Sequence, residues 1–297
     1  MKVSVLLSLY RCEKYLEKYF LNAIEQLRVK EIEFSIVHND PTLKEKEIIK
    51  KFQKKLNIVY LEVERESLYT SWNKAIKQSK GEYLVCWNVD DLRTKSSLHK
   101  MIETLDNNKN TGFTYGDFLI VKQFNTTNGK YIETPSFTFN LGTSAAICGP
   151  FFMWRRKLIS KVGYFDEQFK SGGDFDFSVR LSIFSKGEKT NGLLGYFLND
   201  NSGLSTKNFN LQILEREVIL RRYGIWNQTN LFLNKKISKY HINKVTEFNK
   251  IREIDDEIIN LFNSRLKNKW FIYISSLREG IIQLLRTLKR FVYDFRN

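Results

Sequence analysis

Strand-like and helix-like segments alternate along the first hundred residues, and this alternation limits the fold more than any other feature of the sequence. Compact apolar runs occupy residues 3–9, 33–37, 58–63 and 82–87. Segments with apolar residues at helical spacing lie between them, at residues 15–27, 43–55 and 68–79. Strands separated by helices pair in parallel, and the helices cover the faces of the sheet. The sequence therefore predicts an α/β fold with a Rossmann-like, mostly parallel sheet flanked by helices.

Polar side chains follow three of these strands at their carboxyl ends. They are Ser8 and Tyr10, Asn39 and Asp40, and Asn88, Asp90 and Asp91. Right-handed crossovers bring the carboxyl ends of parallel strands to one edge, where open α/β sheets bind ligands. Two adjacent carboxylates repel each other unless a cation offsets their charge. The acidic pair therefore predicts a hard divalent cation, Mg²⁺ or Mn²⁺, with the alternative that one Asp caps the following helix.

The charge of the chain narrows the classes of partner. A formal net charge of +15 attracts nucleotides, nucleic acid or anionic lipid. Aromatic and basic residues do not interleave as in a nucleic-acid-binding module, and the strand-end acids repel phosphate unless a metal is bound. The three cysteines are odd in number and lack metal-ligand spacing, and Cys86 and Cys148, which lie in apolar surroundings, are predicted to be reduced core residues of a cytoplasmic protein. The N-terminal apolar run predicts a first strand and not a signal peptide.

The second half of the chain is less regular, and its composition changes near residue 225. Residues 112–122 and 130–133 are predicted strands, and residues 207–223 a predicted helix. We therefore predict a catalytic domain over residues 1–224 and a helical, basic C-terminal extension over residues 225–297. Within that extension, residues 265–297 carry eight Lys and Arg against two acids. Such a basic amphipathic helix can lie on an anionic membrane surface, or it can pack on its own domain.

Six segments follow one another in an order that resembles a known family. They are "VSVLLSLYRCEKYL", "FSIVHNDPT", "SWNKAIKQSKGEYL", "NVDD", "VGYFDEQF" and "GGDFDFSVRL". Together they resemble the family 2 glycosyltransferases of the GT-A fold, from about residue 3 to residue 223. The resemblance implies transfer of a sugar from a nucleotide-sugar donor, a divalent metal at the acidic strand end, and inversion at the sugar carbon.

The resemblance also implies roles at the donor side. Asp90 is the preferred metal ligand, and Asp91 is a second ligand or a partner of the ribose. Asn88 stands where the family has the first Asp of its motif, and it can accept a hydrogen bond from ribose. In many relatives a late histidine completes the metal site, and "GYFLNDNSGLS" contains none.

The resemblance implies that the base and ribose of the nucleotide are bound by Ser8, Tyr10, Asn39 and Asp40. The carboxylate of Asp40 can accept the imide N–H of uracil, while the alternative is that residues 39–41 form only a turn. Asn73 matches the family's Asn near the diphosphate. Lys74 either pairs with a phosphate or is solvated.

Asp174 matches the catalytic base of the family, on a loop that follows two glycines. An inverting transfer needs one base, which takes the proton of the acceptor hydroxyl as that oxygen attacks. Asp176 is the alternative base, and either Asp can instead cap the next helix. Gly173 stands where relatives often have Glu, which removes one acceptor contact. Arg180 is predicted to brace this helix or a nearby carboxylate.

The sequence therefore predicts a metal-dependent, inverting glycosyltransferase that adds a sugar to a hydroxyl of a glycan or lipid-linked acceptor. Surface polysaccharide synthesis at the inner face of the cell membrane is the expected setting. A sugar-1-phosphate nucleotidyltransferase is one alternative, but it needs a Gly-rich phosphate loop and "LLSLYRCEKYL" has no glycine. A non-enzymatic nucleic-acid-binding protein is the other.

Overall fold

The computed structural model describes residues 1–26, 31–144, 146–200, 203 and 209–223. Contacts divide the chain into two units, Met1–Arg216 and Glu217–Asn297, and only residues 217–223 of the second unit are described. The described helices are α1 (Glu13–Glu25), α2 (Leu43–Phe52), α3 (Leu68–Gln78), α4 (Ser97–Asn107), α5 (Phe139–Ser144), α6 (Ile159–Val162), α7 (Gly173–Phe184) and α8 (Phe209–Arg222).

Nine strands of the first unit form one sheet. They are β1 (Val3–Leu9), β2 (Ile32–Asn39), β3 (Asn57–Val63), β4 (Tyr83–Cys86), β5 (Leu92–Arg93), β6 (Thr111–Val121), β7 (Gly129–Ile132), β8 (Phe152–Arg155) and β9 (Lys186–Leu198). The order across the sheet is β3-β2-β1-β4-β8-β6-β9-β5, and β7 pairs with β6. Neighbours pair in parallel from β3 to β4 and between β6 and β9, which confirms the predicted fold class.

The predicted sheet differs from the structure in its second half. Strand β8 lies antiparallel between β4 and β6, so it joins the parallel half to the rest. Strand β9 is the longest of the sheet, yet the sequence did not indicate it. Its thirteen residues contain three glycines and a polar first half, so no apolar alternation marks it. Pairing with β6 over most of its length stabilises it as a strand.

The core lies on both sides of the parallel half of the sheet. Every residue of β2 and β4 is buried, and so is every residue of β1 except Ser8. Continuous burial is expected of central parallel strands that have helices on both faces. Helix α2 begins with a capping box in which Thr42 and Glu45 satisfy each other's backbone N–H groups. Ser4, Glu33 and Ser35 are polar residues buried within these strands, whereas Ser8, at the end of β1, is only half-buried.

Two further expectations concern the cysteines and membrane-spanning helices. Cys12, Cys86 and Cys148 are all free and buried, in agreement with reduced thiols. None of the helices in the described part of the chain is both long and apolar enough to span a bilayer. The predicted extension at residues 225–297 lies outside the described residues, so its helix and its membrane contact stay predictions.

Candidate functional site

The carboxyl ends of β1, β2 and β4 meet at one edge of the sheet. Leu6 pairs with Cys86, and the N–H of Trp87 donates to the Leu6 carbonyl, so the residues that follow β4 begin beside the last part of β1. Ser8 at the end of β1 pairs with Val37 of β2. The predicted convergence of polar strand ends is therefore present.

Asp90 is half-buried at this edge. Burial raises the pKa of its carboxyl group, the negative charge of Asp200 raises it further, and Lys14 opposes the shift. Asp200, which follows β9, was not singled out from the sequence. The sequence does contain a weak indication of it, because Asp200 follows the apolar run 193–198 in the way that the other polar residues follow their strands.

Asp91 has a different environment, although it is the next residue. Its side chain is 2% exposed, and Oδ1 accepts a hydrogen bond from the N–H of Leu198 at 3.1 Å. The amide of Asn88 donates to Oδ2 at 3.4 Å. Burial raises the pKa of Asp91, and the charge of Asp90 adds to the increase. Asp91 thus fastens β9 to the end of β4, while Asp90 is the member of the pair that is open to a ligand.

The donor set at this edge fits a divalent cation. No three His, Cys, Asp or Glu side chains of the described chain are grouped closely enough to hold a metal by themselves. Mg²⁺ is commonly held by one or two carboxylates together with substrate phosphates and water. Asp90 and Asp200 supply carboxylate oxygens, and their mutual repulsion would fall if a cation lay between them.

Asn39 is a buried connector and not an exposed ligand. Its amide nitrogen donates to Ser8 Oγ at 3.3 Å and to Ser71 Oγ at 3.1 Å, and its Oδ1 accepts from the N–H of Glu66 at 3.0 Å. The side chain has no exposed surface. Asn39 therefore joins β1, β2 and the start of α3, which corrects its predicted direct contact with the nucleotide. Ser8 remains half-buried at the strand end.

Tyr10 and Asp40 lie on the loops after β1 and β2. Tyr10 is 41% exposed, and the guanidinium of Arg65 lies 3.6 Å from the centre of its ring. Asp40 is half-buried with φ +40°, and its N–H donates to the carbonyl of Val63. Arg65 was not predicted from the sequence, because only folding brings the loop after β3 to Tyr10. An aromatic face backed by a cation is suited to packing on a nucleobase.

The same two loops are tied together by a buried carboxylate. Glu45 accepts from the N–H of Cys12 at 2.7 Å and from the N–H of Thr42 at 3.0 Å. His38 also contacts it at 3.1 Å, and backbone hydrogen bonds lower the pKa of Glu45 to about 2 although burial opposes this. The carboxylate is thus ionised and holds the two loops at a fixed separation.

Asn73 and Lys74 are engaged within the protein. The amide of Asn73 donates to the carbonyl of Phe165 at 2.9 Å and to Glu167 at 2.8 Å, and its oxygen accepts from the N–H of Phe165. The side chain is 4% exposed, so it holds the turn after α6 and is not placed to bind a diphosphate. Lys74 forms an ion pair with Glu66 and its side chain is 39% exposed, so its pairing with a phosphate stays a prediction.

Asp174 lines a pocket of about 300 Å³ in the second half of the domain. Its carboxylate is open to solvent there, and Oδ1 accepts from the N–H of Phe175 at 2.8 Å. Protein nevertheless surrounds the group closely. Desolvation is the main reason that the pKa of Asp174 is raised to about 6, and the charge of Glu215 contributes. A carboxylate with this pKa is ionised at neutral pH and still basic enough to accept a proton.

Asp176 is excluded as the base by its surroundings. It has no exposed surface, and Arg180 forms an ion pair with its Oδ2 at 2.7 Å. Arg180 also donates to the carbonyl of Val162, so the predicted bracing role of Arg180 is confirmed. The N-cap of α7 is Gly172, with no side-chain cap, so neither Asp fills that role.

The structure explains why residue 173 is glycine. A Cβ built there would lie 2.7–2.9 Å from three ring atoms of Tyr69, so the ring occupies the space of a side chain. The backbone N–H groups of Gly173 and Asp174 also interact with the Tyr69 hydroxyl oxygen. The Glu that relatives often carry before the base has no room in this chain.

Gly173→Ala is expected to lower the melting temperature by several degrees. Overpacking costs roughly 1–3 kcal/mol, and about 2–4 °C accompany each kcal/mol in a domain of this size. Helix propensity alone would favour Ala, so a decrease identifies the contact with the ring. The same substitution made in a Tyr69→Leu background should cost less, and equal losses in both backgrounds would contradict this explanation.

Comparisons with known proteins agree with the geometry. A search of curated proteins found no match. Crystal structures of S. aureus TarS have the same fold. Residues 1–349 of that protein match with a TM-score of 0.57 and 21% identity, over 85% of this chain and 76% of that one.

Two further crystal structures of TarS 1–349 match as well. The complex with UDP-GlcNAc has a TM-score of 0.59 and 20% identity over 88% of this chain and 79% of that one. The complex with UDP has a TM-score of 0.55 and 19% identity, over 90% of this chain and 81% of that one. The family model "Glycosyl transferase family 2" matches residues 4–163, more than half of the chain. With its mixed GT-A sheet and its acidic strand end, this chain belongs to glycosyl transferase family 2.

Proposed function

We propose that this enzyme transfers a sugar from a UDP-sugar to a hydroxyl group of a glycan or lipid-linked acceptor, with inversion and with a bound divalent metal. The position of Asp174 carries the proposal. It is a carboxylate with a raised pKa that opens into a pocket of a nucleotide-sugar-dependent glycosyltransferase. A nucleotidyltransferase or a nucleic-acid-binding protein has no use for such a base.

In the proposed reaction, Asp174 takes the proton of the acceptor hydroxyl while that oxygen bonds to the anomeric carbon. The bond from that carbon to the diphosphate breaks, and the electron pair leaves with the nucleoside diphosphate. A single base and a direct displacement give inversion. Desolvation by the surrounding protein supports this role, because it keeps the pKa of Asp174 above that of an ordinary aspartate.

Asp90, with Asp200, is proposed to hold Mn²⁺ or Mg²⁺ against the diphosphate. A metal held there would supply positive charge to offset the charge that develops on the leaving group. Asp91 and Asn88 hold the strand end in place, since they bind Leu198 and each other. Lys14 lies close enough to influence Asp90 and adds positive charge to the same region.

Uridine is the proposed nucleoside. The carboxylate of Asp40 can accept an imide N–H, and the exposed ring of Tyr10 can pack on a base. The TarS complexes contain UDP-GlcNAc and UDP, and they share the fold at low identity. We therefore take UDP as the first ligand to test.

The test is a thermal-shift measurement with UDP, dTDP and GDP, each with and without Mn²⁺. UDP with Mn²⁺ should raise the melting temperature by several degrees, since binding stabilises by about 2.7 kcal/mol at a hundred times Kd. GDP lacks the pyrimidine imide and should give a smaller shift. Absence of a response to any nucleotide would contradict the proposal.

Membrane association of the basic segment 265–297 is part of the proposal but rests on sequence alone. Its eight Lys and Arg residues would attract anionic lipid, at about 1 kcal/mol for each one near the surface. Such a contact would hold the enzyme near a lipid-linked acceptor. Surface polysaccharide synthesis is the setting that this acceptor class implies.

A further inference from the structure

Helix α8 brings Glu215 to the loop that precedes Asp174. The Glu215 carboxylate accepts hydrogen bonds from three successive backbone N–H groups, those of Lys170 and Ser171 at 2.8 Å and of Gly172 at 2.6 Å. Glu215 has no exposed surface. Three consecutive amides that converge on one oxyanion form an anion-binding nest, which here is filled by the protein's own side chain.

The nest lies immediately before the catalytic aspartate. Gly172 caps α7, and Asp174 is the second residue of that helix. The amides of Gly173 and Asp174 interact with the Tyr69 hydroxyl. Three successive N–H groups, those of residues 170–172, are thus held by one carboxylate, and the ring of Tyr69 packs against the next residue, Gly173.

We infer that Glu215 is a positioning residue, whose carboxylate fixes the loop 170–172 and adds a negative charge beside Asp174. This inference rests on the proposed function, in which Asp174 is the base. Charge-assisted hydrogen bonds to a carboxylate are about twice as strong as neutral ones, so a neutral replacement weakens all three. The geometry of attack depends on the loop, because a displacement of about 1 Å can reduce a rate by roughly 10²-fold.

The groups that face Asp174 come from several elements. Tyr69 lies on α3 and Cys86 on β4, and both are close enough to feel the charge of Asp174. Cys148 and Arg216 line the pocket that contains Asp174. Burial raises the pKa values of Tyr69 and of both thiols, so these three are neutral near pH 7. Glu215 is the carboxylate that raises the pKa of Asp174 by its charge.

The test measures UDP release from UDP-GlcNAc with Mn²⁺, with water as acceptor, as a function of pH. In the parent enzyme kcat/KM should fall on the acid side of its pH profile, and the midpoint of this acidic limb should lie near pH 6, the pKa of Asp174. Glu215→Gln should lower kcat by roughly 10- to 100-fold and move that limb to lower pH, because the removed charge had raised the pKa. Glu215→Asp keeps the charge, so its limb should stay near the parental pH even where its rate falls.

Amide hydrogen exchange gives a second readout that does not depend on activity. The N–H groups of residues 170–172 should exchange faster in Glu215→Gln than in the parent, while those of β1 stay unchanged. The inference would be overturned if residues 170–172 of Glu215→Gln exchanged at the parental rate and the pH profile of kcat/KM did not move. It would also be overturned if the rate of UDP release fell without any change in that pH profile. If the parent released no UDP from any UDP-sugar, the proposed function would fail, whereas faster exchange would still establish that Glu215 holds the loop.

Discussion

Asp174→Asn should lower the rate of sugar transfer by about 10²- to 10⁴-fold, the usual contribution of a general base. Asparagine has nearly the same shape and can accept the N–H of Phe175, but it cannot take a proton at neutral pH. The nucleotide is expected at the ends of β1, β2 and β4, so its binding should not change. The measurements are UDP release and the shift in melting temperature that UDP and Mn²⁺ produce.

Asp176→Asn is the matched control, two residues away on the same helix. It would leave the buried Arg180 without its ion-pair partner, and removal of one member of a buried pair costs about 3–5 kcal/mol. Stability should therefore fall in this variant, while Asp174→Asn should remain folded and inactive. Loss of the UDP response in Asp174→Asn would show that its role in catalysis has been misassigned, as would retained activity.

Asp90→Asn should abolish the Mn²⁺-dependent shift with UDP and reduce transfer by roughly 10²- to 10³-fold, which corresponds to several kcal/mol of charge stabilisation. The protein without ligand should be as stable as the parent or more stable at pH 7. The reason is the raised pKa of Asp90, which means that folding disfavours its charged form. A neutral side chain removes the repulsion from Asp200.

Asp91→Asn separates the two adjacent carboxylates. Asp91 accepts the N–H of Leu198, and Asn can keep that bond through its carbonyl oxygen, so the response to UDP with Mn²⁺ should be largely retained. If instead Asp91→Asn lost the response and Asp90→Asn kept it, Asp91 would be the principal ligand. Calorimetric titration of Mn²⁺ in the presence of UDP would rank the two residues directly.

The sequence alone determined the parallel half of the sheet and the edge at which the site lies. Strands β1 to β4 are apolar runs separated by amphipathic helices, and both patterns follow from local periodicity. Because parallel strands end on one side, Ser8, Asp40 and Asp90 could be placed together before any contact was known. Asp174 was also predicted as the base from the sequence, through its match to the base of the family, and its role stays a proposal.

The tertiary structure alone decided which member of each candidate pair is available for chemistry. Asp90 is open and Asp91 is bound to Leu198, and Asp174 is open and Asp176 is paired with Arg180. Neither distinction is visible in the sequence, because residues close together along the chain share a local pattern while their side chains point into different surroundings.

Asn39, Asn73 and Glu215 show the same limit. Each is a polar residue whose partners lie 27 or more positions away along the chain. Folding must bring those partners together before a hydrogen bond can fix the role of the side chain. Periodicity along the backbone is a local property that the sequence records, whereas the satisfaction of buried polar groups is a property of the packed molecule.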